Sequence, residues 1–313
     1  MKTRLFVFML VGLIFLFVIS SGGLFAAESG NPGRGKKPDK QKPVNATDIE
    51  LVKKITLKGR PAWAGGGKGG KKGGAATGQL GEPVAGERYA VVVGISDYPG
   101  SGNDLNYSDD DAFDMYDALV DVYGFTNVTL LTDLYATRFA ILTAIDDIPT
   151  DANEIVFFFS GHGMRGVADD GDKERIDEAI VSHNGAELVP IWDGELREEF
   201  AGFSNSRIVF IFDTCLSGGM KSDLCGSDRV IAMASTESGL AYEGLTWENG
   251  EFSYYFVDDG ILQGEANIHD YDADAIIKEP EQVTAEEAYD YAKANCKYDK
   301  PTIDDSFEDD LLP

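Results

Sequence analysis

Two short runs constrain this chain more than anything else in it. Residues 154–159 read EIVFFF and residues 207–212 read RIVFIF, apolar with almost no alternation. A strand with one buried face alternates apolar and polar side chains, so a continuous apolar run demands cover on both faces. Residues 88–95 (RYAVVVGI) and 229–234 (RVIAMA) repeat the pattern, and 128–131 is a shorter case. Between and after them, residues 107–123, 137–148, 191–200, 252–262 and 284–296 suit helices. Strands alternating with helices predict an α/β fold, a mostly parallel sheet in a three-layer α/β/α arrangement. Ligands of such sheets gather beyond the carboxyl ends of the strands.

Both runs end abruptly. EIVFFF passes into SGHG, which sets His162 between glycines, and RIVFIF passes into DTCLSGG, which sets Cys215 at the equivalent place. The chain has three histidines and three cysteines, and one of each falls at these matched ends. Alone, a buried cysteine is usually inert and a buried histidine is usually a satisfied core residue. Together they suit nucleophilic catalysis. A thiol near its ordinary pKa of about 8.5 is mostly protonated at neutral pH, and an imidazole within reach takes that proton. The amides of Gly163 and Cys215 are candidate donors to an oxyanion, and the glycines let a substrate backbone approach.

The remainder of the chain divides by composition. MKTR followed by fifteen apolar residues and then small ones reads as a signal peptide over 1–27, too short to span a membrane comfortably. An uncleaved anchor is the alternative; either places the rest outside the cytoplasm. Residues 28–86 are rich in glycine and lysine and read as a flexible linker, with IELVKKITLKG its one strand-like piece. Residues 1–86 carry 14 Lys/Arg against 5 Asp/Glu, and 87–313 carry 13 against 49. So acidic a folded part argues against nucleic acid and for cations or basic partners.

With these residues in view, the chain resembles the caspase-like cysteine peptidases, nearer to metacaspases than to caspases. FFFSGHG matches the family's histidine motif and FDTCLSGG its D-x-C-x-S-G motif, 53 residues apart where about 50 is expected. YAVVVGISDY, LNYSDDDA and RIDEAIV are further matches, and the likeness covers 88 to about 265. The peptidase domain is therefore expected over 87–265, with 266–313 an acidic extension carrying one helix, packed on or part of that domain. The resemblance implies a caspase-haemoglobinase-like fold, a His162/Cys215 dyad and a primary pocket formed by Asp111, Ser160 and Asp213. An acidic pocket of this kind takes Arg or Lys, so protein substrates with basic residues are implied, and the basic residues of GRGKK and KGGKKGG become self-processing candidates. Two departures stand in the motifs: Leu216 where a histidine is common, and Ser108 and Asp110 where cysteine and asparagine are common.

The resemblance also implies no cofactor for the chemistry but a calcium site, with Asp177, Asp193, Glu195 and Asp223 the candidate ligands. Asp270, Asp272 and Asp274 alternate like an EF-hand loop but lack its glycine at position six, which argues against one. In an exported chain Cys225 and Cys296 are candidates for a disulfide that leaves Cys215 free. Two other readings stay open: specificity for Asp or Asn on the same fold, and an inactive module binding cations or basic proteins.

Overall fold

A computed structural model describes residues 44–58, 74–171 and 175–313. Within it the first strands come from the expected linker: β1 (Ala46–Val52) and β2 (Ile55–Leu57). The sheet that follows begins with β3 (Arg88–Gly94), helix α1 (Ser108–Asp117), which continues as a π-helical turn to Val122, and β4 (Asn127–Thr132). Next come α2 (Arg138–Asp146), β5 (Glu154–Ser160), β6 (Gly163–Ala168), β7 (Asp177–His183), β8 (Leu188–Trp192) and α3 (Asp193–Phe200). Then β9 (Arg207–Asp213), α4 (Lys221–Leu224), β10 (Arg229–Met233), β11 (Tyr242–Gly244) and β12 (Asn249–Gly250) follow. The chain ends through α5 (Glu251–Ser253), its π-helical continuation Tyr254–Leu262, α6 (Ala285–Asn295) and β13 (Thr302–Asp305).

The central sheet has six strands in the order β13-β10-β9-β5-β3-β4. All neighbours are parallel except β13, which runs antiparallel to β10. The doubly apolar strands explain the three layers. Along β5, Ile155, Phe157 and Phe159 enter one core with Ile141 and Ile145 of α2 and Leu196 and Phe200 of α3. Val156 and Phe158 enter the opposite core with Ala112 and Met115 of α1, Phe256, and Ala288 and Ala292 of α6. Each buried phenylalanine contributes about 1.5–3 kcal/mol by leaving water, and Phe200 adds an edge-to-face contact with Phe210 at 4.8 Å.

Beside this core lie an antiparallel sheet β1-β6-β7-β8 and a small sheet β12-β11-β2. Two expectations are corrected here. The linker is not uniformly unstructured, because β1 and β2 pair with β6 and β11. The helix expected over 191–200 starts at Asp193, because Ile191 and Trp192 complete β8 opposite Ile180 and Ala179. Residues 266–313 pack with the rest: α6 covers one core and β13 completes the main sheet within one unit, residues 44–313. The basic residues of the candidate processing sites, in 34–37 and 68–72, and the signal segment lie outside the described residues.

Candidate active site

Parallel pairing sets β5 and β9 in register, Ser160 opposite Asp213, so the turns after them emerge side by side. One turn carries His162 and the other Cys215, both buried. Their backbones touch closely: a Cβ placed on Gly163 would lie 2.1 Å from the Cys215 carbonyl oxygen, so only glycine fits. The turn after Cys215 puts Leu216 in the left-handed region at φ 65°, a conformation that costs a non-glycine residue about 1–2 kcal/mol. Its amide donates to the Gly239 carbonyl at 2.9 Å, and the Ser217 amide donates to Ser235 Oγ at 3.1 Å, which hold the strained turn against the end of β10.

The histidine's protonation pattern follows from its partners. Nε2 lies 2.7 Å from the Asn103 carbonyl, which only accepts, so Nε2 carries the proton. Nδ1 lies 3.0 Å from the Lys54 amide, which only donates, so Nδ1 is the basic atom. Tyr98 stacks on the ring at 4.8 Å and its hydroxyl accepts the His162 amide. Burial, joined by the charges of Lys53 and Lys54, lowers the imidazole pKa to about 4 against the opposing Asn103 bond. Burial also raises the Cys215 thiol to about 11, partly offset by Ala241 and Lys54. Cys215 Sγ accepts the Ala241 amide at 3.1 Å. Both groups are therefore neutral here, and the base is bonded to the chain's own backbone rather than to the thiol.

The three expected pocket residues do converge, and they hold a lysine that sequence reasoning missed. Lys54 Nζ lies 2.8 Å from Asp213 Oδ1, 2.9 Å from Ser160 Oγ and 3.4 Å from Asp111 Oδ2, with every one of these side chains buried. Ser160 Oγ donates to Asp111 Oδ2 at 2.6 Å. The outer oxygens are held from behind. The Gly250 amide donates to Asp111 Oδ1 at 2.8 Å, and the Ser253 amide and hydroxyl donate to Asp213 Oδ2 at 3.0 and 2.7 Å. Gly250 forms the pocket wall, since a Cβ there would lie 2.2 Å from Asp213 Oδ2 and 2.7 Å from Lys54 Nζ. Burial would lower the Lys54 pKa, but Asp213, Asp111 and Glu243 outweigh it and hold the ammonium well above its usual range. Burial and the neighbouring Asp213 push Asp111 up to about 7 against the pull of Lys54.

A second acidic group lies along the β6–β7 loop. Asp177 and Asp193, both expected, meet Asp170, which was not, and an oxygen of each lies within 4.8 Å of the others. Burial, with the charges of Asp223, Asp170 and Glu178, raises Asp193 to about 9. Clustered carboxylate oxygens with one acid strained by like charges fit a hard divalent cation such as calcium. Glu195 is corrected: its oxygens bond Arg138 and the Trp192 amide, capping α3 away from the cluster. Asp223 bonds Arg197 beside the cluster and acts on it through charge. The candidate pair Cys225 and Cys296 is not bonded: Cys225 is exposed, Cys296 is partly buried, and both thiols are free. Asp270, Asp272 and Asp274 are exposed and accept amides of their own loop.

A family model described as the caspase domain matches residues 87–290. Metacaspase-4 of Arabidopsis thaliana is 33% identical over 146 residues, 42% of this chain and 34% of its own. Metacaspase-1 of Saccharomyces cerevisiae is 31% identical over 147 residues, again 42% and 34% of the two chains. Metacaspase-8 of Arabidopsis thaliana is 28% identical over 147 residues, 42% of this chain and 38% of its own. The aligned region thus spans little more than a third of these curated relatives.

Proposed function

Because the chain belongs to the caspase-domain family, we propose that it is a cysteine endopeptidase that cuts proteins after Lys or Arg. One observation carries the specificity: the pocket of Asp111, Ser160 and Asp213 already binds a lysine ammonium. An acidic substrate side chain would meet two buried carboxylates there and be repelled. In the reaction, Nδ1 of His162 takes the Cys215 proton and the sulfur adds to the carbonyl carbon of the basic residue. The amides of Gly163 and Cys215 receive the oxyanion. His162 then returns the proton to the departing amine, and water hydrolyses the thioester. Asn103, through its carbonyl, keeps the proton on Nε2 and so leaves the lone pair on Nδ1.

Calcium is proposed at Asp170, Asp177 and Asp193. Bound there, it supplies positive charge that offsets the mutual repulsion of these acids. In support, calcium is expected to raise the thermal midpoint at pH 8, and Asp193→Asn to remove that increment while raising the midpoint in chelator. Export through residues 1–27 and processing at the basic residues of 34–37 and 68–72 belong to the same reading. The deciding experiment is hydrolysis of fluorogenic peptides ending in Arg, Lys, Asp or Asn by the full chain, with calcium or chelator. Cleavage after Arg or Lys that is lost in Cys215→Ala supports the proposal. Cleavage after Asp or Asn, or cleavage that survives the variant, overturns it.

A further inference from the structure

The segment that carries Lys54 crosses both catalytic turns. β1 pairs antiparallel with β6, which starts directly after His162, and Val52 lies opposite Gly163. β2 pairs parallel with β11, which starts directly after Ala241, the residue bonded to Cys215. Lys53 and Lys54 bridge the two, with Lys53 Nζ donating to Gly102 O at 2.6 Å, one residue from the Asn103 that orients His162. Two short strands and a pocketed lysine make a peptide-like occupant of the whole cleft.

Its direction decides what it is. Cutting after Lys54 breaks the bond between the Lys54 carbonyl carbon and the Ile55 nitrogen. That nitrogen is the leaving group and must receive a proton from His162. The Ile55 amide instead donates to the Ala241 carbonyl at 2.9 Å. The nitrogen at His162 is that of Lys54 itself, 3.0 Å from Nδ1, and it belongs to the bond between Lys53 and Lys54. Cutting that bond would require Lys53 in the pocket, and Lys53 is bonded to Gly102 instead. Neither bond has both its basic residue in the pocket and its leaving nitrogen at the base. The Lys54 amide also occupies the Nδ1 lone pair needed to deprotonate Cys215.

We infer that residues 44–57 are a built-in inhibitor seated in a non-hydrolysable direction, displaced rather than cut at Lys54–Ile55 when the enzyme becomes active. The inference rests on the reading of the pocket as the one for basic substrates, and its test separates the two. In the full chain, alkylation of Cys215 by iodoacetamide is followed by peptide mass spectrometry, with exposed Cys225 as the internal reference. Lys54→Ala is expected to speed Cys215 alkylation at least tenfold over the native chain, with Cys225 unchanged and Lys54→Arg near the native rate. Lys54→Gln, which keeps a polar group at Ser160, replaces the alanine variant where that one does not fold. Hydrolysis of Arg and Lys peptides is expected to rise in parallel, and native protein that has become active is expected to retain an intact Lys54–Ile55 bond. Equal alkylation of Cys215 in native and Lys54→Ala chains overturns the inference. So does scission of Lys54–Ile55 that accompanies activity and is absent from Cys215→Ala. Faster alkylation without hydrolysis of any basic peptide supports the strap and overturns the peptidase reading instead.

Discussion

At the Lys54 ammonium, side chains from α1, β5 and β9 meet, and both carboxylates are held by further bonds behind them. Asp213 is the closest partner, at 2.8 Å. Asp213→Asn removes a buried charge facing a buried cation, so kcat/KM for Arg and Lys peptides is expected to fall at least 100-fold, about 3 kcal/mol. Steady-state kinetics on the Lys54→Ala background checks this; a loss below threefold would assign the recognition to Asp111 instead. Asp111, Ser160 and Asp213 were legible beforehand because each sits in a motif at a strand or helix end, where side-chain identity is the signal. Asn103 and Ala241 were not, because they act through a carbonyl and an amide that every residue possesses. Lys54 was hidden differently: in the sequence it is one more lysine in a lysine-rich stretch, and only β1 and β2 aim it.

Legibility at the scale of elements follows burial. The strands β5 and β9, buried throughout or nearly so and built of apolar residues, declare themselves. β7 is buried at all seven positions too, yet carries Asp177, Glu178, Ser182 and His183, so its pattern reads as polar chain. β1 is mostly exposed and owes its form to pairing with β6, a contact that no local preference announces. Helix α6 is the opposite case. Thr284 accepts the Glu287 amide at 3.2 Å while Glu287 reaches back to the Thr284 amide, a capping box readable from T-A-E-E. Thr284→Ala is expected to cost about 1 kcal/mol. Urea unfolding would show it as a lower midpoint at unchanged slope, and an unshifted midpoint would mean the cap contributes nothing.

For the molecule as a whole, acidity sets the pH response. Burial raises Glu286 to about 8 and Glu154 to about 7. A carboxyl whose folded pKa exceeds its unfolded value binds its proton more tightly when folded. That contribution to stability is complete below about pH 4 and is lost as pH rises through about 7 to 8. Repulsion among the 49 Asp/Glu of residues 87–313, set against 13 Lys/Arg, acts in the same direction. The thermal midpoint in chelator is expected to be higher at pH 5.5 than at pH 8.5; the reverse order would require a stabilising set of ionised carboxylates that these buried acids do not provide. The covalent attachment of the strap has a further effect. A strand covalently joined to the domain meets its cleft at an effective concentration that does not depend on the bulk concentration of protein. Dilution therefore leaves the intact chain latent. A single cut anywhere in that connection turns the inhibitor into a separate molecule, and occupancy of the cleft then falls with every further dilution.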